Sequence, residues 1–270
     1  MEAGLFALGT DFGNGAADSR FFQFDARAEA TLAAKRAALA HFGPVPGALC
    51  RTEAERDAHR AVLGFIDDTL REEATERRHD TPAASLEPGE RYALFARQVQ
   101  EDFAVLHVDA AGDNAIIAAY VCFPSGWRPE RILGRDFLAT HAPIPEFERV
   151  GSAVSKLVTA MTTRGPYVRF VWTVTADATL DHHPDHADRV SFADPAARGH
   201  LRVERQLTVP FPDVRASLFL IRTYLYPFES LDEQQRRVLG GAIAAMPPAL
   251  RRYKRIAGFE PVIQALLAQA

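Results

Sequence analysis

Cysteine is scarce in this chain: two in 270 residues, Cys50 and Cys122, far apart and in no metal-type spacing. An iron–sulfur cluster takes four thiolates, so none is expected within the chain. Two free thiols suit a reducing compartment. Long apolar runs are also missing, and nothing approaches the roughly 20 residues that span a bilayer. The start, Met1-Glu2-Ala3-Gly4, lacks the basic stretch of a signal peptide. A cytoplasmic protein with no membrane partner is the expectation. There is no surplus of positive charge: 31 Lys and Arg stand against 35 Asp and Glu, a net −4. That argues against a protein built to bind nucleic acid. Neither a G-x-G-x-x-G nor an H-E-x-x-H word occurs.

What is present is the 47% hydrophobic, 24% charged balance of an ordinary globular protein. Residues 1–25 read as an irregular arm that Phe21, Phe22 and Phe24 anchor. Helical periodicity runs over 28–41 and stops at 43–46. A second helix fits 52–76, with Thr52 as N-cap and Ala61, Leu63, Phe65, Ile66 and Leu70 as its apolar face. Residues 77–90 read as a loop and 91–100 as a short helix.

The period then changes. Residues 102–108 and 115–123 are β-rich, and Asp109-Ala110-Ala111-Gly112-Asp113-Asn114 between them has hairpin-turn chemistry. From 124 to about 161 the pattern is helical and broken by Gly and Pro. Its longest piece begins near Pro145 and carries Phe147, Val150, Val154, Leu157, Val158 and Met161. Three further strands fit 167–175, 200–209 and 216–226, and helices fit 231–245 and 261–270. The expected fold is α+β: one antiparallel five-stranded sheet, with helices inserted between strands 2 and 3, the chain order of a PAS-type half-barrel. Residues 1–100 form an N-terminal helical region packed on a 101–230 core, and 231–270 the C-terminal helices.

Several words occur in a fixed order. They are Cys122-Phe123-Pro124-Ser125-Gly126-Trp127, Leu133-Gly134-Arg135, His141-Ala142-Pro143-Ile144-Pro145, Arg169 with Trp172, Val203-Glu204-Arg205-Gln206, and Phe219-Leu220-Ile221-Arg222-Thr223-Tyr224. Over roughly residues 90–255 the chain resembles the haem-dependent oxidative N-demethylase α-subunit family. The resemblance implies a PAS-like haem b domain that uses O2 to oxidise a small secondary amine such as dimethylamine. It also implies a reductase partner, with FMN, a 2Fe–2S centre and NADPH carried outside this chain. Three departures stand out. Val171 replaces a frequent Asn before the Trp, Glu146 a frequent Gly, and Val209-Pro210-Phe211-Pro212 a more basic stretch.

His141 ends an apolar helical run, and Pro143 and Pro145 stiffen the chain beyond it. With the strand order and the family words beside it, it is the expected proximal haem ligand, since neutral imidazole binds ferrous iron; by itself, a helix-terminal histidine bonded to a carbonyl is the better reading. In 201–207, Leu201, Val203, Arg205 and Leu207 share one face, and Arg202, Glu204 and Gln206 the other. An arginine among apolar neighbours needs an anion. Arg205 is therefore expected to meet haem propionates or reduced oxygen, or else a protein carboxylate. Glu204 is the candidate for holding a protonated amine, and alternation would require a bulge to bring it to the same face. Arg169, Arg222 and Tyr224 are further cofactor-binding candidates on neighbouring strands, each with a structural role as the alternative. Asp181-His182-His183-Pro184-Asp185-His186 looks metal-like but lacks cysteine and a helical frame, and reads as a solvated loop. Trp127 and Trp172 read as packing residues, and Arg251-Arg252-Tyr253-Lys254-Arg255 as a helix end or a docking patch for an acidic partner. A haem-based gas sensor, or a small-ligand-binding protein without turnover, is the alternative function.

Overall fold

The computed structural model describes residues 4–12, 19–41, 47–74, 79–145, 147, 151–186 and 189–270. Val150, Glu146, Ala187, Asp188 and the expected helix stop at 43–46 lie outside them. The N-terminal helices are α1 (Ala28–His41), α2 (Glu53–Glu73) and α3 (Pro88–Ala96). Helix α2 begins where Thr52 Oγ1 accepts from Glu55 N at 3.2 Å, which satisfies one of the unpaired first-turn donors. Its buried stripe is Ala58, Val62, Leu63, Ile66 and Leu70, repeating at helical spacing. Ala61 and Phe65, expected on that stripe, are only partly buried.

Strands β2 (Asp102–Val108) and β3 (Asn114–Tyr120) form the expected hairpin. Its turn is closed by Asp109 Oδ1, which accepts from Ala111 N and Asp113 N at 2.9 Å each, and Gly112 takes φ +95°. Between this hairpin and the next strand lie α4 (Phe137–His141) and α5 (Gly151–Thr163). Strands β4 (Tyr167–Thr175), β5 (His200–Phe211) and β6 (Ala216–Pro227) then run antiparallel in register. The C-terminal helices are α6 (Glu233–Ala245), α7 (Pro248–Tyr253) and α8 (Glu260–Gln269). The short α7 begins directly after Pro247 with Pro248 at its first position, where a missing N–H costs nothing.

The sheet has six strands among the described residues, not five. β1 (Phe6–Ala7), from the arm read as irregular, pairs with the β4 edge through Phe6 opposite Val168. Two residues are too few to show a period. The strand order is β1-β4-β5-β6-β2-β3, so the last strand, β6, lies beside β2 in the middle.

Both faces of the sheet are covered. On one, Phe103, Val105, Leu207, Leu218 and Leu220 pack with Phe22 and the stripes of α2 and α3; at its far end Val174 and Leu201 meet α6 and α8. On the other, Ala104, Leu106, Ile116 and Ala119 pack against Phe137 of α4 and Val154 and Val158 of α5.

Candidate functional site

Helix α4 is short but firmly placed. Asp136 caps it, Oδ1 accepting from Ala139 N at 2.6 Å, and Asn114 Oδ1 accepts from Phe137 N at 2.7 Å, tying it to β3. His141 is its last residue. The imidazole Nδ1 lies 2.8 Å from the Phe137 carbonyl, so Nδ1 carries the proton and the Nε2 lone pair is the ring's donor. The Phe137 ring is 4.2 Å away centre to centre, and the Phe147 ring stacks at 5.1 Å. Burial pushes the His141 pKa below its ordinary value; the Phe137 bond opposes this, and the Arg169 charge adds to it. The ring is therefore neutral at pH 7, the form that binds metals.

The sheet opposite α4 presents polar residues. Across the β4–β5 ladder Arg169 pairs with Gln206, Val171 with Glu204 and Thr173 with Arg202, and Glu204 pairs in turn with Thr223 of β6. Directly opposed residues share a face, so these line one surface. Arg169 Nε donates to Gln206 Oε1 at 2.7 Å, and Gln206 Nε2 donates to Glu204 Oε2 at 3.0 Å. Arg202 Nε lies 3.4 Å from Glu204 Oε1. Arg169 keeps accessible surface, yet surrounding protein pushes its guanidinium pKa down, with Glu204 opposing. Tyr253 and Lys254, at the end of α7, close the same end of the sheet and both feel the Glu204 charge. Sequence reasoning missed them, because they lie some 50 residues from Glu204 in the chain.

Arg205, Arg222 and Tyr224 stand on the other face. Arg205 Nη2 donates to the Arg20 carbonyl at 2.7 Å. Arg222 Nη2 donates to Asp25 Oδ2 at 2.8 Å, its guanidinium lies 4.7 Å over the Tyr224 ring, and the Tyr224 hydroxyl bonds Gln23. Burial pushes the Tyr224 pKa up to about 12, so it stays protonated. These three residues hold the arm at 20–25 in place. The structure therefore joins His141 with Arg169 and Glu204 and sets Arg205, Arg222 and Tyr224 apart from them. Glu204 needs no bulge: the β4–β5 and β5–β6 registers run through it unbroken.

The Cys122–Trp127 word is a scaffold for this face. Arg202, fully buried, donates to the Phe123 carbonyl at 2.6 Å, the Leu180 carbonyl at 2.7 Å and Thr223 Oγ1 at 3.3 Å. Ser125 bridges to His182, and Gly126, at φ +82°, packs under the Arg255 guanidinium. Trp172 packs with the C-terminal helices and Trp127 beside α4 and α5. In the histidine-rich loop, His186 pairs with Asp181 at 2.8 Å and His183 with Glu130 at 3.2 Å. Among the described residues no group of three His, Cys, Asp or Glu converges as a metal site would. In the terminal basic cluster, Arg251 bonds Glu260 and two carbonyls, Lys254 the Trp172 carbonyl and Arg255 the Gly126 carbonyl. Arg252, Tyr253 and Arg255 are the exposed members of the cluster.

The chain is thus an α+β protein with both sheet faces covered, in which a neutral imidazole on α4 stands on the side of an Arg–Gln–Glu row of the sheet. The model of the family described as haem-dependent oxidative N-demethylase, alpha subunit-like, matches residues 60–264, more than half of the chain. The chain belongs to that family. The description names haem-dependent oxidative chemistry and one subunit of a larger assembly. Among the described residues no helix is long and apolar enough to cross a membrane.

Proposed function

We propose that this chain is a cytoplasmic haem-dependent oxygenase subunit that removes a methyl group from a small secondary amine of the dimethylamine type. Haem b would be held between the polar face of the sheet and α4–α5, in a PAS-like five-stranded core of β4-β5-β6-β2-β3. The residues at that place fit the group: a neutral imidazole with its Nε2 donor, stacked aromatic rings, and an accessible guanidinium for a propionate. His141 would hold the haem iron through Nε2, and its Nδ1–H to the Phe137 carbonyl fixes the ring, as outer-shell bonds do for metal-bound histidines. When bound, haem supplies O2-dependent oxidation of the N-methyl carbon, releasing formaldehyde.

The chain's own residues supply binding and orientation. Glu204 accepts from the ammonium of the substrate and holds its methyl group toward the haem. Each carboxylate oxygen keeps a second lone pair beyond its bond to Arg202 or Gln206. The guanidinium and the amide thereby orient Glu204 before substrate arrives, which is the economy of preorganisation. Arg205, Arg222 and Tyr224 act only in holding the arm. Electrons come from a reductase partner that carries FMN, a 2Fe–2S centre and NADPH, since the chain lacks a Gly-rich nucleotide-binding word.

The observation that carries this reading is the placement of a neutral His141 on the same sheet face as Arg169 and Glu204. Purified protein reconstituted with haem should show a Soret band that His141→Ala shifts or abolishes. With a reductase supplied, dimethylamine should yield formaldehyde, and Glu204→Gln should raise KM for the amine about tenfold or more. Normal axial ligation in the His141 variant sinks the assignment. Haem and gas binding with no formaldehyde from any methylamine would point to a sensor instead.

A further inference from the structure

The arm at residues 20–25 has no regular secondary structure, and side chains from the body hold its backbone. The two carboxylate oxygens of Glu73 accept from Phe21 N and Phe22 N at 2.8 Å each. Glu101 Oε1 accepts from Gln23 N at 2.9 Å, and Gln100 Oε1 from Asp25 N at 3.1 Å. Arg205, Arg222 and Tyr224 supply the further ties already described. Of these anchors Glu101 is the least settled. It is fully buried, yet its Oε2 has no hydrogen-bond partner among the described residues, and neither has Arg222 Nε. The charged and titratable groups that act with Glu101 are Arg222 and Tyr224 of β6 and Lys35 of α1. Both cations are committed elsewhere. Arg222 pairs with Asp25, while Lys35 pairs with Asp102 of β2 at 3.2 Å and bonds the Val99 and Glu101 carbonyls. Tyr224 stays protonated. Charging the Glu101 carboxyl where it stands is therefore costly. Its bond to Gln23 N and the Arg222 charge favour ionisation, but burial outweighs both and raises the pKa to about 7.

We propose that residues 20–25 are a pH-sensitive strap, held closed while the Glu101 carboxyl beneath them keeps its proton and loosened when that proton is lost. The strap is independent of the haem reading. Lifting it breaks the Gln23 bond and brings water to Glu101, which then ionises near its ordinary 4.5. Between 4.5 and about 7 the lifted state releases a proton that the closed state keeps. Lifting therefore gains about tenfold per pH unit over that window and levels off above it.

Amide hydrogen exchange on the full chain, corrected for the intrinsic pH dependence of exchange, tests this between about pH 5 and about pH 8. Protection of the Gln23 and Asp25 amides should fall about tenfold per pH unit up to about pH 7, then level. Amides of the β5–β6 ladder should not share that slope. Glu101→Gln has no proton to lose, so its strap amides should show protection that does not change with pH. A flat profile at Gln23 and Asp25 in the wild type would overturn the proposal. So would an equal slope in the β5–β6 ladder, which would assign the proton to global unfolding, or a slope that survives in Glu101→Gln. If that variant does not fold, the comparison of strap and ladder within the wild type decides alone.

Discussion

Arg169 of β4 and Gln206 of β5 sit opposite each other across the ladder, joined by a 2.7 Å bond from Nε to Oε1. That bond fixes a guanidinium whose charge reaches His141 on the facing helix. Two strands thus add to the burial that lowers the pKa of a residue belonging to neither.

The consequence is measurable without any cofactor. Removing the guanidinium in Arg169→Met removes a repulsion on the imidazolium, so the His141 pKa should rise. Burial still holds it down, so the rise should be partial. An NMR titration of the histidine ring in the apoprotein reads it directly. A fall, or no change, would show that the two side chains do not sense each other.

Arg202 should be the costliest arginine to lose. Arg202→Met leaves the Phe123 and Leu180 carbonyls without their donor and Glu204 without its neighbouring cation. A loss of about 3–5 kcal/mol in a urea-unfolding experiment is expected. Lys at 202 should not rescue, because one ammonium cannot serve partners spread around a planar fork. Loss below about 1 kcal/mol would contradict this account of the Cys122–Trp127 scaffold.

Two buried groups give the stability of the protein opposing pH dependences. Burial raises the Glu101 pKa to about 7, with Arg222 opposing, while burial and Arg202 lower the His182 pKa to about 4. From its ordinary value of 4.5 up to about 7, the folded state holds the Glu101 proton that the unfolded chain releases, so this term falls as pH rises. From 6.5 down to about 4, the unfolded chain binds the His182 proton that the folded state refuses, so this term falls on acidification. The two nearly cancel between about 4.5 and 6.5. Glu101→Gln should expose the histidine term, seen as a stability that drops with each pH unit of acidification by about 1.4 kcal/mol. A flat profile in that variant would refute the assignment.

Much of the fold could be read from residue patterns. The β4 range matches its expected span, β5 and β6 match to within two residues, and the Thr52 cap and the Asp109 turn act as their chemistry required. These are local matters, governed by neighbours a few positions apart. β1 and α7 escaped because two residues, or six beginning at a proline, carry too little period. In the site, His141, Arg169 and Glu204 were chosen from sequence and lie on one side of the sheet, whereas Gln206 stood only inside a quoted word and Lys254 only in a basic cluster read as a helix end or a docking patch. Arg205 was expected inside because its strand neighbours are apolar. That face is indeed inward, but inward toward the N-terminal helices, and its partner is the Arg20 carbonyl rather than an anion.

The sequence by itself determined that Glu204 and Arg205 look in opposite directions, since side chains alternate along a strand. Only the tertiary structure decided which of them looks at His141. Alternation defines two faces but does not name the layer that covers each. That choice was made by the apolar stripes of α2 and α3 on one side and of α4 and α5 on the other, through contacts between residues far apart in the chain.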